Sequence, residues 1–163
     1  MCPDTKALLA YVKLELFFAA ICYYIKINPK PITAMAKKIA EQLIDTLVKS
    51  GVERIYAVTG DSLNEVNEAV RKNDQIKWIH VRHEETGAYA AAAEAQLTGH
   101  PGCCAGSSGP GHVHLINGLY DAHRSGAPVI VIASTIPTGE FGTEYFQETN
   151  TIKLFNDCSY YNE

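Results

Sequence analysis

The chain has 163 residues, 47% of them hydrophobic and 20% charged, with a formal net charge of −4. That length can bury a core of its own and makes one domain the default. A mildly acidic chain with no basic run argues against nucleic acid as a partner.

The five cysteines are an odd number, and none lies in a CxxC or zinc-type spacing. They read as mostly reduced thiols of a cytoplasmic protein. Residues 1–34 differ in character from the rest of the chain. An apolar run at 14–25 is interrupted by Glu15 and flanked by Lys13 and Lys26. It is too short for a membrane span. No small-x-small cleavage site separates it from Asn28-Pro29-Lys30-Pro31. These residues are expected to be an extension outside the domain, which then occupies 35–163. An anchor at a membrane surface is the alternative.

Residues 36–50 carry Ile39, Leu43, Ile44, Leu47 and Val48 at helical period, with Gly51 placed to end the helix. Residues 54–58 read as a strand. In the next turn, Asp61 or Ser62 is placed to cap a helix carrying Leu63, Val66 and Val70. A second strand is predicted at 76–81. An acidic turn, Arg82-His83-Glu84-Glu85, then opens an alanine-rich helix over 84–97. Its small side chains suit close packing against a sheet or a second subunit. His100-Pro101-Gly102 ends it. A short strand at 103–105 leads into the turn Gly106-Ser107-Ser108-Gly109-Pro110-Gly111 and a helix at 113–123. The apolar run 127–134 fits a parallel strand covered on both faces. A long loop, 135–150, precedes a last helix from about Thr151. This alternation predicts an α/β fold, a parallel sheet with helices on both faces.

The motifs leave choices open. Gly106, Gly109 and Gly111 have the reverse of the dinucleotide spacing, and the turn lacks a phosphate-loop Lys. Pro110 stands where a nucleophile elbow around Ser108 needs Gly. A tight turn explains the glycines equally well. His112 and His114 are two apart, which would point them to different faces of a helix and argues against a shared metal. They read as one buried, hydrogen-bonded residue and one partly exposed. Of the adjacent Glu84 and Glu85, at most one faces inward, and favourable placement at a helix N-terminus accounts for either.

Four ordered motifs narrow these choices. They are Val58-Thr59-Gly60-Asp61-Ser62-Leu63-Asn64, Arg82-His83-Glu84-Glu85, the Gly106–Gly111 turn running into Leu115-Ile116-Asn117-Gly118-Leu119-Tyr120-Asp121-Ala122, and Phe146-Gln147-Glu148. From about residue 35 to 163 the chain resembles the N-terminal pyrimidine-binding domain of thiamine-diphosphate-dependent enzymes. The likeness is closest to pyruvate oxidases and quinone-linked pyruvate dehydrogenases. The resemblance implies that Glu84 hydrogen-bonds the pyrimidine ring nitrogen and so activates the cofactor. Gly60, Asp61, Gly109, Pro110 and Gly111 would line the pyrimidine side. Phe146 and Gln147 would approach the substrate's carboxylate end, and Glu85 would face outward or cap the helix.

Such enzymes bind diphosphate and magnesium through a GDG…N motif in another domain, and the oxidases also carry a flavin domain. This sequence contains no GDG…N motif. Magnesium and FAD are therefore expected from domains absent here, with no metal ligands in this chain. It is expected to be an incomplete domain, inactive alone. It would act in a homo-oligomer (dimer or tetramer) or with a separate diphosphate-binding domain, on a small 2-keto acid. The expected reaction is oxidative decarboxylation of pyruvate. The alternatives are an acetolactate synthase-like or 2-keto acid decarboxylase fragment, or a non-catalytic dimerising domain.

Overall fold

A computed structural model describes residues 36–163, and Lys38–Glu163 form a compact unit. The expected extension at 1–34, its surface-anchor alternative and the domain start at Met35 lie outside the described residues. The elements run α1 (Ile39–Lys49), β1 (Arg54–Ala57), a 3-10 turn at Asp61–Leu63, α2 (Asn64–Arg71), β2 (Lys77–His80), α3 (Glu84–Thr98), β3 (Gly102–Gly106), α4 (Pro110–Val113), α5 (Ile116–Ser125), β4 (Val129–Ala133), a 3-10 turn at Thr138–Glu140, and α6 (Thr151–Phe155). The strands form one parallel sheet in the order β2-β1-β3-β4. The predicted α/β architecture is the observed one. Among the described residues, no helix is long and apolar enough to cross a membrane.

Side-chain alternation along the strands builds two cores. Ile55, Ala57, Cys103 and Ala105 face one layer with Ile44, Leu47, Leu63 and Val70 from the first two helices. Tyr56, Cys104, Val129 and Val131 face the other, with Ala88, Ala91, Leu115, Leu119 and Phe155. β3 is buried along its whole length, as a central parallel strand should be. Cys103, Cys104 and Cys158 are free thiols. Burial pushes Cys104 up to about 12 and Cys103 well above its ordinary range, so neither is a nucleophile at neutral pH.

The small residues of α3 serve close packing within this chain. Gly87, Ala88, Ala91, Ala92 and Ala95 form its buried face. A Cβ on Gly102 of β3 would stand 2.0 Å from the Ala91 carbonyl oxygen, and one on Gly118 of α5 would stand 2.5 Å from the Ala88 Cβ. Helix, strand and neighbouring helix therefore touch backbone to backbone.

Four local expectations need correction. Ile39 is 85% exposed, because it is the first residue of α1 and precedes the stretch that meets the sheet. The alanine-rich helix runs on to Thr98 and stops at Gly99, in left-handed conformation, before His100-Pro101 is reached. The helix expected at 113–123 is two helices. α4 begins at Pro110, whose fixed φ suits a first helical position, and the chain turns at His114-Leu115 before α5. Finally, neither Asp61 nor Ser62 caps α2, whose N-cap position is Leu63 with no side-chain bond.

Candidate functional site

Each strand ends at the same edge of the sheet, and the turns after β1, β2 and β3 converge there. Ligands of open α/β sheets bind at such edges. Glu84 is the first residue of α3, one step beyond β2's exit turn, and it is 8% exposed. Its Oε2 accepts a hydrogen bond from His114 Nδ1 at 3.1 Å. Its Oε1 lies on the side of the glycine turn, 3.5 Å from where a Cβ on Gly111 would stand, and has no hydrogen-bond partner among the described residues. The neighbouring Glu85 is half-buried at the rim and accepts from Asn117 Nδ2 at 3.3 Å.

Ser107 is the residue on which the glycines converge. A Cβ on Gly60 would stand 2.4 Å from the Ser107 Cβ, and one on Gly111 would stand 2.4 Å from its Oγ. The β1 and β3 turns thus close on one small side chain, with the Glu84 carboxyl beside Gly111. A larger residue at Gly60 would strike Ser107, and one at Gly111 would strike Ser107 and crowd the Glu84 carboxyl. Gly109 has φ +70°, where a Cβ is disfavoured, and that Cβ would also meet Gln147 at 2.7 Å.

Hydrogen bonds fix the β3 turn from both sides. The Ser108 backbone N–H donates to Ser62 Oγ at 2.9 Å, and Ser62 Oγ lies 2.6 Å from Ser134 Oγ. Ser62, expected as a helix cap, is instead a bracket between the turns after β1, β3 and β4. His112 is fully buried. Its Nδ1 lies 2.9 Å from the Ser134 carbonyl oxygen, which can only accept, so Nδ1 carries the proton. Nε2 then accepts from the Thr149 hydroxyl. Burial holds this imidazole below its ordinary pKa of 6.5, which favours the neutral ring. His112 is thus the buried, hydrogen-bonded histidine of the pair and His114 the partly exposed one, as expected.

The remaining residues lie further out. Asp61 is exposed in the β1 turn, and Pro110 is exposed at the start of α4. Gln147 is half-buried, and its Oε1 lies 3.3 Å from Ser108 Oγ. Phe146 is 79% exposed. The structure therefore gathers Glu84, Gly60, Gly109, Gly111 and Gln147 around Ser107 and Ser108, and leaves Phe146, Asp61 and Pro110 at the margin. Ser107 and His114 are site residues that spacing alone did not single out. Serine beside glycine is ordinary turn composition, and His114 is 30 residues from its carboxylate partner.

Residues 37–154 match the family described as "Thiamine pyrophosphate enzyme, N-terminal TPP binding domain". The chain belongs to this family. It is 48% identical over 130 residues to the "Putative thiamine pyrophosphate-containing protein YdaP" of Bacillus subtilis, covering 78% of this chain and 23% of that one. It is 43% identical over 121 residues to the "Pyruvate oxidase" of Lactiplantibacillus plantarum, covering 74% and 20%. It is 33% identical over 126 residues to the chloroplastic "Acetolactate synthase" of Arabidopsis thaliana, covering 77% and 19%. The chain spans about a fifth of the length of each of these relatives.

The residues of this thiamine pyrophosphate domain fit the pyrimidine end of that cofactor. An aminopyrimidine presents ring nitrogens and an amino group on a flat body. The site offers a largely buried carboxyl with one unpartnered oxygen beside glycines that leave backbone bare. The sequence contains no GDG…N motif of the kind that holds diphosphate and magnesium.

Proposed function

We propose that this chain is the pyrimidine-binding part of a thiamine-diphosphate-dependent enzyme that decarboxylates pyruvate oxidatively. The observation that carries the proposal is the Glu84 carboxyl, held at the start of α3 with Oε1 free on the side of Gly111. The bound cofactor supplies the electron sink for decarboxylation. Glu84 hydrogen-bonds the pyrimidine ring nitrogen through Oε1 and holds a proton there. His114 holds the other carboxylate oxygen, which fixes the orientation of the first. Gly60 and Gly111 let their turns close on Ser107, with Gly111 beside Oε1, and Gly109 with Gln147 bounds the loop side. Burial of the edge limits the water that would compete for the carboxyl.

Pyruvate as substrate, with electrons passed on, is favoured by 43% identity to a pyruvate oxidase against 33% to an acetolactate synthase. Diphosphate, magnesium and flavin are held by other domains, in a longer chain or a partner, and the site is completed by a second subunit or such a domain. Product analysis on the assembled enzyme tests this reading. With pyruvate and an artificial electron acceptor, carbon dioxide release should be matched by acceptor reduction. Accumulation of acetolactate without acceptor reduction would replace the reading with the synthase alternative.

A further inference from the structure

His83, Glu84 and His114 form a cluster that cofactor activation does not require as a whole. One ligating atom from each lies within 4.8 Å of the others. The His83 and His114 rings stack with centroids 4.6 Å apart and planes 25° apart. Imidazole lone pairs lie in the ring planes, so a shared ion requires one of these half-exposed rings to turn out of the stack until both ring nitrogens face it. His114 Nδ1 and Glu84 Oε2 are 3.1 Å apart. Two ligands on a tetrahedral zinc at about 2.0 Å stand about 3.3 Å from one another.

Two histidines and one carboxylate are the ligand types of zinc sites that keep a coordination position open. The side chains of His83 and His114 are 48% and 45% exposed, so an ion can enter from solvent and water can fill the open position. Glu85 Oε2 lies 3.8 Å from His83 Nδ1, outside hydrogen-bond distance.

We propose that His83, Glu84 and His114 bind one zinc-class divalent transition metal ion. His83 and His114 each give one ring nitrogen, and Glu84 gives Oε2. The sequence holds no sign of this site, because His83 and His114 come from different turns and match no metal spacing. One consequence rests on the cofactor-activating role proposed for Glu84. A metal drawing Glu84 toward the histidines withdraws the carboxyl from a pyrimidine, so zinc would inhibit by competing with the cofactor.

The test is calorimetric titration of the full chain with zinc chloride, without thiamine, so its outcome is independent of the proposed reaction. The wild type should bind one equivalent that weakens about 100-fold in His83→Ala and in His114→Ala, with circular dichroism unchanged. Both residues are half-exposed, which makes folded variants the expectation. As a second measurement, cobalt(II) added to the wild type should give visible bands without thiolate charge transfer, and H83A/H114A should abolish them. Equal zinc affinity in wild type and variants would overturn the proposal, as would cobalt bands dominated by thiolate.

Discussion

The edge of the sheet has two regions of opposite character. The turn after β3 is buried and cross-braced by Ser62, Ser134 and His112. The loop after β4 is largely exposed, with Phe141, Tyr145 and Phe146 facing solvent. Two of its non-glycine residues, Glu144 and Gln147, adopt positive φ of 58° and 65°. An open depression of about 420 Å³ lies in this loop, lined by Gly142, Tyr145, Glu148 and Thr149 among others, and Glu84 takes no part in it. The braced turn presents a fixed surface at the sheet edge. The loop is joined to that turn through Gln147 on Ser108 and Thr149 on His112. The β3 side is thus braced in advance, while among the described residues the loop is tied to it by two side-chain hydrogen bonds.

This contrast orders the expected effects of substitution. His112→Ala should be the most damaging, because it opens a cavity and strips partners from Ser134 and Thr149 together. A loss of about 3 kcal/mol is expected from chemical denaturation midpoints, and a loss under 1 kcal/mol would show that the brace is dispensable. Gly60→Ala should cost about 2 kcal/mol through its overlap with Ser107. Adding Ser107→Gly, which removes both Ser107 atoms that a Cβ would strike, should recover part of that loss. No recovery would mean that the two turns do not press on each other.

A pH series sharpens the same point. The folded pKa of His112 lies below 6.5, so at mildly acidic pH the unfolded chain binds a proton that the folded chain refuses. The contribution of His112 is therefore full above about pH 6.5 and declines as pH falls toward the folded value. Denaturation midpoints compared for wild type and His112→Gln should converge on acidification through that window. A gap that widens instead would contradict the buried neutral ring. In the open loop, Phe146→Ser should change stability by no more than about 0.5 kcal/mol, which thermal melts can check.

Much of this was legible in the sequence, for definite reasons. Strands such as 54–58 and 127–134 are apolar runs bounded by turn residues, and their alternation with helices leaves a parallel sheet as the natural outcome. Glu84 stood out because a carboxylate at a strand-to-helix turn falls at the ligand-binding edge. What escaped were contacts between distant turns. Ser62 looks like a helix cap in isolation, and only the fold shows it facing Ser134, 72 residues away. The break at His114-Leu115 is hidden because the apolar spacing continues through it. Phe146 carries no local sign of its exposure, which depends on how a sixteen-residue loop leaves the sheet.

The central claim is that Glu84 activates the cofactor through its pyrimidine ring. The most direct test is the rate of hydrogen–deuterium exchange at the thiazolium C2 position, followed by NMR in the enzyme assembled from this chain and a diphosphate-binding domain. Glu84→Gln should slow exchange by about 10²-fold or more, with cofactor still bound. Exchange at the wild-type rate in that variant would contradict the claim and return Glu84 to the role of a helix-terminal carboxylate.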